Sequence, residues 1–523
     1  KVTLEDYSWN EEKTSLDHLL RERNKLKWEY KRAEGEGATE LKVKLDESYE
    51  KISNLLNVNL YREFREKKIQ ISREEFLRLN PFHWGFEFYD AFDLDKPKEE
   101  RGFDVVIGNP PWGEILSKLE KRIIDNTFFS KRYLYNIFTF FIEASIKILK
   151  NKAKFGYILP KNMIRSNAYS KIREIILSNF RIIKLTAVGI GVFVGVTSEA
   201  SIIITEKNTM EEELKTNYIL CSSVGFYEFP PKKENKIKQE ILYSLYDYIF
   251  NIFLTDDRIE ILKYIKKRSK NLEELTHPLV GISAGDEKNL TYFSKKSELW
   301  KPVVRGDDVS RYGVDYKGEF VLYDRDVLHR AREEDKFLSK EKLLSQHVSN
   351  SLKFGYDARQ LYCMQTINLF VPKNNSYSLK CLLTILNSAL MNFFYQRLYN
   401  IGSEFTTAIS LINLRRLPIK LPKNQKSFES LCNYLLFLNE TLECRELEKK
   451  LIEFIDTQVI DSLVYELYFR EKFEEEGLKT NLLGLVEPYL GDIEGLKSGE
   501  EKLKVIKEVV AGIENDRAIK EQI

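Results

Sequence analysis

The sequence predicts an α/β fold whose first half contains a mostly parallel, doubly wound sheet. Apolar, β-branched runs at residues 103–107, 155–159 and 182–188 are typical of buried strands. Residues 134–150 and 169–179 carry apolar side chains at spacings of three and four, which predict amphipathic helices. Strands that alternate with helices in this way predict a parallel sheet with helices on both faces.

Length and charge limit the class of protein. A chain of 523 residues exceeds what one core usually supports, so roughly two to four domains are expected. The 82 lysines and arginines nearly balance the 80 aspartates and glutamates, which leaves a formal charge of +2. A nucleic-acid partner would therefore be bound by local basic patches rather than by a global positive field.

Cysteine spacing and hydropathy argue against a metal site and a membrane protein. No apolar run approaches the ~18 residues that a membrane span needs, and no signal peptide opens the chain, so we expect a cytoplasmic protein without membrane contact. The cysteines show no spacing typical of a metal site, so we expect reduced thiols and no metal; they are Cys221, Cys363, Cys381, Cys432 and Cys444.

The stretch VVIGNPPWGE, residues 105–114, is the most informative one in the chain. A proline pair after a strand is ordinarily a turn, because proline fixes φ and cannot donate to a β-ladder. Here the prolines separate an amide, Asn109, from an aromatic ring, Trp112, at the carboxyl end of a strand, where open α/β sheets place ligands. The Asn109 side chain and the Pro110 carbonyl could accept two hydrogen bonds from one exocyclic amino group while the indole stacks on its ring, as a site for an extruded adenine requires.

The residues Asn109, Pro110, Pro111 and Trp112 resemble the Asn/Asp-Pro-Pro-aromatic motif of amino-group DNA methyltransferases in its N6-adenine form. Residues 134–177 and 192–207 resemble the segments that follow this motif in gamma-class adenine methyltransferases and in single-chain (type IIG-like) restriction-modification enzymes. The resemblance implies a partial Rossmann-like methyltransferase sheet and S-adenosylmethionine as methyl donor. It also implies that Phe193 stacks on the flipped base opposite Trp112, although a random Phe is more often a core residue.

The first 80 residues do not resemble the start of such a sheet. They read as long, charged amphipathic helices, most simply an antiparallel hairpin inserted into the catalytic domain, and they lack an apolar strand followed by a glycine-rich turn. Because the chain starts with Lys1, we expect the cofactor turn to belong to sequence that precedes it. We find no PD…ExK nuclease pattern, and an endonuclease domain or subunit outside this chain is possible.

One cofactor contact is predicted within residues 81–210, the catalytic part. Residues 87–92 read as a strand, and Asp93 follows it sixteen residues before Asn109. This position resembles the acidic residue that binds the adenine of the cofactor in the family. Asp93 could equally cap a turn, and Asp90 competes for the role.

Downstream we predict a helical linker at 211–275 and a helical C-terminal segment at 425–523. Segments between them, such as LWKPVVRGDDVSRYGV at 299–314, resemble the target-recognition domain attached to these methyltransferases, and the resemblance implies an α+β target-recognition domain at 276–424. Four cations of the recognition domain are candidates for contact with double-stranded DNA, although each one alone is more often a solvated surface charge: Arg305, Arg311, Lys353 and Arg359. The tyrosines that interleave them are Tyr312, Tyr356 and Tyr362.

The function implied is site-specific transfer of a methyl group from S-adenosylmethionine to the N6 atom of a flipped adenine, as part of a restriction-modification or related phage-defence system. The alternative is a DNA-binding specificity module, or an inactive methyltransferase fragment that lacks the cofactor turn.

Overall fold

The computed structural model describes residues 10–93, 95–129, 135–189, 199–224, 234–286, 290–399, 407–440 and 446–523. The chain forms two compact units, Lys1–Thr255 and Asp256–Ile523.

The first unit begins with a helical hairpin, as predicted. Helices α1 (Asn10–Tyr30) and α2 (Gly35–Glu66) are joined by a short turn and contact each other along their apolar sides. Leu16 and Leu20 of α1 are buried in one cluster with Ile52 and Leu56 of α2. A short helix follows, α3 (Arg73–Arg78), which a capping box between Ser72 and Glu75 begins.

The strand predicted at residues 87–92 is wrong. This segment forms a short helix, α4 (Trp84–Glu87), and a 3₁₀ turn, Tyr89–Ala91. Phe86, Tyr89 and Phe92 are buried and lie three residues apart, whereas a strand buries every second residue. Phe86 and Tyr89 pack against the hairpin cluster, so a contact distant in sequence decides the local structure.

The central sheet of the first unit has six strands in the order β1-β2-β4-β3-β5-β6. Four of them point the same way, because β1 pairs with β2 and β3 with β5 in parallel, whereas β4 and β6 are antiparallel to their neighbours. This confirms the mostly parallel sheet. The strands are β1 (Phe103–Gly108), β2 (Leu149–Pro160), β3 (Phe180–Val188), β4 (Ala200–Lys207), β5 (Tyr218–Val224) and β6 (Glu234–Lys238).

The last two strands correct the prediction of a helical linker at 211–275. Ile219 and Cys221 alternate as buried side chains in β5, so this part of the presumed linker belongs to the sheet. The remaining helices of the unit are α5 (Lys118–Thr127), α6 (Ile137–Ile148), α7 (Asn162–Arg165), α8 (Ser170–Asn179), α9 (Glu211–Thr216) and α10 (Gln239–Ser244).

The second unit is α+β up to about residue 420, as predicted. Its larger sheets have the orders β15-β10-β11-β9 and β14-β12-β16-β8, and β7 pairs with β18 and β13 with β17. The strands are β7 (Lys270–Asn271), β8 (Thr276–Val280), β9 (Thr291–Tyr292), β10 (Trp300–Val304), β11 (Phe320–Leu322), β12 (Lys342–Gln346), β13 (Val348–Ser349), β14 (Phe354–Asp357), β15 (Tyr362–Cys363), β16 (Ile367–Pro372), β17 (Thr407–Ala408) and β18 (Pro418–Ile419).

Helices complete the second unit and form its C-terminal segment, which confirms the helical prediction for 425–523. They are α11 (Asp256–Lys267), α12 (Leu272–Leu275), α13 (Glu334–Phe337), α14 (Leu379–Asn387), α15 (Ala389–Tyr399), α16 (Leu411–Arg415), α17 (Lys426–Glu440), α18 (Glu446–Glu453), α19 (Asp461–Glu475), α20 (Leu482–Val486), α21 (Gly499–Asn515) and α22 (Arg517–Lys520). Between α18 and α19 the helix passes through π-helical turns, Phe454–Ile460.

Candidate active site

The Asn-Pro-Pro-Trp loop follows the carboxyl end of β1. Gly108, the last residue of β1, pairs with Tyr157 of the parallel strand β2, and a Cβ atom at Gly108 would lie 3.3 Å from the Tyr157 ring. After this close approach Asn109 is exposed, Pro110 is buried and Trp112 is half-buried. The Asn109 amide is thus accessible to solvent, next to the buried Pro110, at the sheet edge where open α/β folds bind ligands.

Asn136 fixes the far end of this loop. Its Oδ1 accepts a hydrogen bond from the Gly113 N–H at 2.9 Å, and its Nδ2 donates to the Tyr169 hydroxyl at 3.1 Å. The Gly113 carbonyl accepts from the Ile137 N–H at 3.1 Å, so both peptide groups of Gly113 are held by the start of α6. Gly113 has a φ of +116°, a conformation that a side chain would strain.

Sequence reasoning missed Asn136. An Asn before a helix is ordinarily read as its N-cap, yet this side chain makes no capping hydrogen bond to α6 and reaches the active-site loop instead. The spacing of Gly113 and Asn136 carries no signal that could have found the contact.

Arg173 braces the segment on which Tyr169 lies. Its guanidinium is fully buried and donates to the carbonyls of Met163 at 2.7 Å, Ser166 at 2.8 Å and Asp247 at 2.8 Å. Burial lowers the pKa of Arg173 to about 9, so the group remains charged at neutral pH. The carbonyls stabilise that charge and fix the backbone between α7 and α8.

A buried ion pair lies at the same sheet edge as the loop. Lys161 follows the end of β2, and its Nζ lies 2.6 Å from Glu199 Oε1, with both side chains under a tenth exposed. The Lys161 N–H also donates to the Glu199 carbonyl at 3.1 Å. The pair lies just beyond the point where β2 and β4 stop pairing, because Pro160 ends β2 and its partner Ala200 begins β4.

Asp93 does not lie at this edge. The Ala91 carbonyl accepts a hydrogen bond from the Gly102 N–H at 2.7 Å, so the segment that carries Asp93 lies beside the beginning of β1. Asn109 follows the other end of the strand, roughly 20 Å away at ~3.3 Å per residue. Asp93 Oδ1 accepts from the Asp95 N–H at 3.0 Å, which is the turn-capping alternative considered from the sequence.

Phe193, the second predicted stacking residue, lies outside the described residues, so its role stays a prediction.

Two of the predicted DNA contacts are already engaged by carboxylates. Arg305 binds Glu319 in a bidentate pair with both distances at 2.8 Å, and its side chain is about a third exposed. Arg311 makes a bidentate pair with Asp456 and donates to the Asn387 carbonyl. These contacts favour structural roles for both arginines.

The other two candidates are more accessible. Lys353 is partly exposed, and Arg359 is half-exposed, with its Nη2 donating to the Val314 carbonyl at 2.5 Å. Two of the three tyrosines expected to interleave the cations do not offer their rings to DNA, since Tyr312 and Tyr362 are 1% exposed, whereas Tyr356 is partly exposed and donates a hydrogen bond to Glu341 Oε2 at 2.8 Å.

Among the described residues, no group of three or more His, Cys, Asp or Glu side chains could hold a metal ion. No helix in the same part of the chain is both long and apolar enough to cross a membrane.

The first unit is an open α/β fold that carries the Asn-Pro-Pro-Trp loop at the carboxyl edge of its sheet, where such folds bind ligands, and the second unit is a separate α+β domain. Two parts of the chain match known family models. Residues 10–193 match the family described as Eco57I restriction-modification methylase, and residues 301–419 match the TaqI-like C-terminal specificity domain.

Individual relatives agree with these matches. The putative type II restriction enzyme and methyltransferase RM.MjaORFECS2P of Methanocaldococcus jannaschii is 30% identical over 518 residues, which cover 91% of this chain and 41% of the relative. The type II methyltransferase M.VspI of Vibrio sp. is 26% identical over 215 residues, or 41% of this chain and 49% of the relative. The chain spans less than half the length of either relative.

Solved structures resemble the chain less closely. A DrdV–DNA complex covers 82% of this chain and 57% of its own, with a TM-score of 0.43 at 9% identity.

Proposed function

We propose that the chain carries the methyl-transfer and DNA-recognition parts of a restriction-modification enzyme that methylates the N6 atom of adenine in double-stranded DNA. The observation that supports this most is the Asn109 amide, exposed at the carboxyl edge of the sheet on a loop anchored by Pro110 and Asn136. An endonuclease domain or subunit outside residues 1–523 is part of the proposal, because the relative from M. jannaschii is named as both restriction enzyme and methyltransferase. We propose a cytoplasmic location, where cellular DNA is accessible.

The residues of the loop act on the amino group itself. Adenine N6 is a poor nucleophile because its lone pair is delocalised into the ring. If the Asn109 side chain and the Pro110 carbonyl accept both N6 hydrogens, the nitrogen becomes more tetrahedral and its lone pair turns toward the methyl donor. Trp112 holds the extruded ring by stacking, and positioning then supplies most of the rate enhancement.

A covalent protein nucleophile is not needed for this transfer. Burial raises the pKa of the Cys221 and Cys363 thiols to about 12, so both are protonated at neutral pH.

The proposed methyl donor is S-adenosylmethionine, but the described residues do not form its pocket by themselves. Asp93 lies at the opposite end of β1 from the loop. Strand β1 is also the edge of the sheet, with Val105 57% and Ile107 83% exposed, so the side of the loop next to that edge is open. We expect titration calorimetry to give the 523-residue chain an affinity weaker than low micromolar, and a low-micromolar affinity would contradict this expectation.

The test of the proposed function is Asn109→Ala in the full-length protein, assayed by transfer of labelled methyl groups to mixed-sequence duplex DNA. We expect methylation to be lost while DNA affinity stays close to that of the wild type, because the amide acts on the reacting nitrogen. Asn515→Ala, on the surface helix α21, is the matched control and should remain active. Near-wild-type methylation by Asn109→Ala would reject the assignment.

A further inference from the structure

An exposed strip of aromatic and basic side chains leads from β9 into β10. Every residue from 292 to 299 is exposed, a stretch that we call the 292–299 surface. Phe293 is 74% and Tyr292 52% exposed. Large apolar side chains are rarely left in water side by side without a binding role.

The charges of this strip are mainly positive. Residues 291–301 contain three lysines and one glutamate. Lys295 pairs with Glu298 at 2.8 Å, in a surface contact worth little in water. The Lys296 Nζ lies 4.0 Å from the Tyr292 ring centroid and 4.9 Å from that of Trp300, so an ammonium group is held between two rings.

The strip begins in β9, whose position is set by its pairing with β11. β9 is the edge strand of its sheet and pairs only with β11 in that sheet, with Tyr292 opposite Phe320. Arg305 binds Glu319, the residue before β11, and its Nη2 lies 3.5 Å from Thr291 Oγ1 of β9. Arg305, which was expected to contact DNA, thus contacts the side chains of Glu319 and of Thr291, the residue before Tyr292.

We propose that the 292–299 surface is a contact of the recognition unit with double-stranded DNA. Lys295 and Lys296 meet backbone phosphates, and Phe293 packs against the sugars and base edges between them. The alternation of aromatic rings and ammonium groups fits a polyanion with flat apolar bases better than it fits a protein surface. This inference rests on the proposed function, in that it names the surface through which the substrate is held. The strip precedes the part of the chain that matches the specificity-domain family, which begins at residue 301.

The test is fluorescence anisotropy of the 523-residue chain with a 40-base-pair duplex of mixed sequence, over a range of salt concentrations. We expect Lys295→Ala/Lys296→Ala to weaken binding roughly tenfold and to reduce the slope of log affinity against log salt by about one for each phosphate that a lysine no longer neutralises. Phe293→Ser should weaken binding with little change of slope. The controls are Lys504→Ala/Lys507→Ala on α21 and Leu478→Ser, which remove the same charge or an exposed apolar side chain elsewhere in the unit.

Unchanged affinity and slope in both test variants, or equally weakened binding in the controls, would overturn the proposal. Because the substituted side chains are exposed, the thermal unfolding midpoint should not move, and a matching drop in that midpoint would assign the effect to folding.

The methylation assay distinguishes failure of the proposed function from failure of the proposed DNA-binding surface. An inactive wild-type protein that still binds DNA through this surface rejects the methyltransferase, and an active one with unchanged binding in the variants rejects the surface.

Discussion

Asn136 shows how much of this active site depends on a residue outside the motif. Its amide joins the Gly113 N–H on one side to the Tyr169 hydroxyl on the other, and Tyr169 in turn lies on the segment braced by the buried Arg173. The two prolines limit the rotation of the loop at one end, and Asn136 limits it at the other. Asn109 is therefore held from both directions.

We predict that Asn136→Ala lowers kcat roughly tenfold to a hundredfold and leaves KM for DNA nearly unchanged, since small displacements of a positioned group have effects of this size. Asn136→Asp keeps the acceptor for the Gly113 N–H and should retain more activity than Ala. Steady-state kinetics measure both.

The matched control for this prediction is Asn126→Ala on α5, which removes an amide whose only hydrogen bond among the described residues is local, a donation to the Arg122 carbonyl at 2.8 Å. Equal effects of Asn126→Ala and Asn136→Ala on kcat would show that Asn136 has no special connection with the loop.

Trp112 combines two environments in one side chain. Its ring is half-buried, and its indole nitrogen is buried with no hydrogen-bond partner among the described residues. We predict that Trp112→Ala weakens binding of duplexes with adenine opposite an abasic site by ~1–3 kcal/mol, the usual scale of base stacking. Phe193→Ala should have the same effect. Fluorescence of 2-aminopurine at the target position measures it, and a signal identical to that of the wild type in both variants would reject the stacking role.

Residue types alone predicted where the Asn-Pro-Pro-Trp loop lies in the fold, but they did not predict which side chains the arginines contact. The Asn-Pro-Pro-Trp stretch is local, so its strand, its proline anchor and its exposed amide could be read from adjacent residues. Whether an arginine meets solvent depends on which carboxylate the fold brings to it. Asp456 is 145 residues from Arg311 and nothing in the spacing indicates their pairing.

At the level of elements, side chains of the loop after β10 form hydrogen bonds with the helical C-terminal segment. Arg311 and Tyr312 both bind Asp456, the tyrosine through its hydroxyl at 2.7 Å, and Tyr312 has a φ of +68°. Asp456 lies in the π-helical turns before α19, and Asp461 begins α19 and accepts a hydrogen bond from the Ala389 N–H at 2.7 Å. Two buried carboxylates, Asp456 and Asp461, thus lie close to the partly exposed Arg311, so the stability of this region should depend on pH.

Asp461 provides the pH test. Burial, and then the neighbouring Asp456 charge, raise the pKa of Asp461 to about 6. The folded protein therefore holds a proton between pH ~4 and 6 that the unfolded chain has released, so this group makes the free energy of unfolding fall as pH rises through that window.

We predict that Asp461→Asn, which keeps an acceptor for the Ala389 N–H, removes this part of the pH dependence. The variant should gain stability relative to the wild type at pH 8 and little at pH 4, measured by urea unfolding. A difference between the two proteins that is the same at both pH values would show that Asp461 does not titrate in this window.

Elements with internal periodicity could be predicted from the sequence, and elements defined by distant contacts could not. The hairpin, β1, β2, β3 and α8 follow local patterns of apolar residues. The strand predicted at 87–92 failed because the buried aromatic side chains Phe86, Tyr89 and Phe92 lie three residues apart, and the first two pack against the hairpin. The helical prediction failed at 218–224 and 234–238, because these segments lie in a charged stretch of sequence and become strands only by pairing in the sheet, β5 with β3 and β6 with β5.

At the scale of the whole molecule, the candidate reacting loop and the region that matches the specificity domain lie in different units. The loop is in the first unit and the specificity-domain match is in the second. We predict that exchange of residues 276–424 for their counterpart from a related enzyme changes which adenine is methylated without changing the kind of product, because base-edge contacts carry sequence information while the loop contacts only the extruded base. Sequencing of methylated positions checks this, and an unchanged target site would move recognition to the helices of 1–80 or 425–523.

The measurement that tests the central claim most directly is the identity of the methylated nucleoside. DNA modified by the full-length protein is digested to nucleosides and analysed by mass spectrometry. The arrangement of Asn109, Pro110 and Trp112 predicts N6-methyladenine as the product and none in DNA treated with Asn109→Ala. N4-methylcytosine, or N6-methyladenine formed equally by the variant, would contradict it.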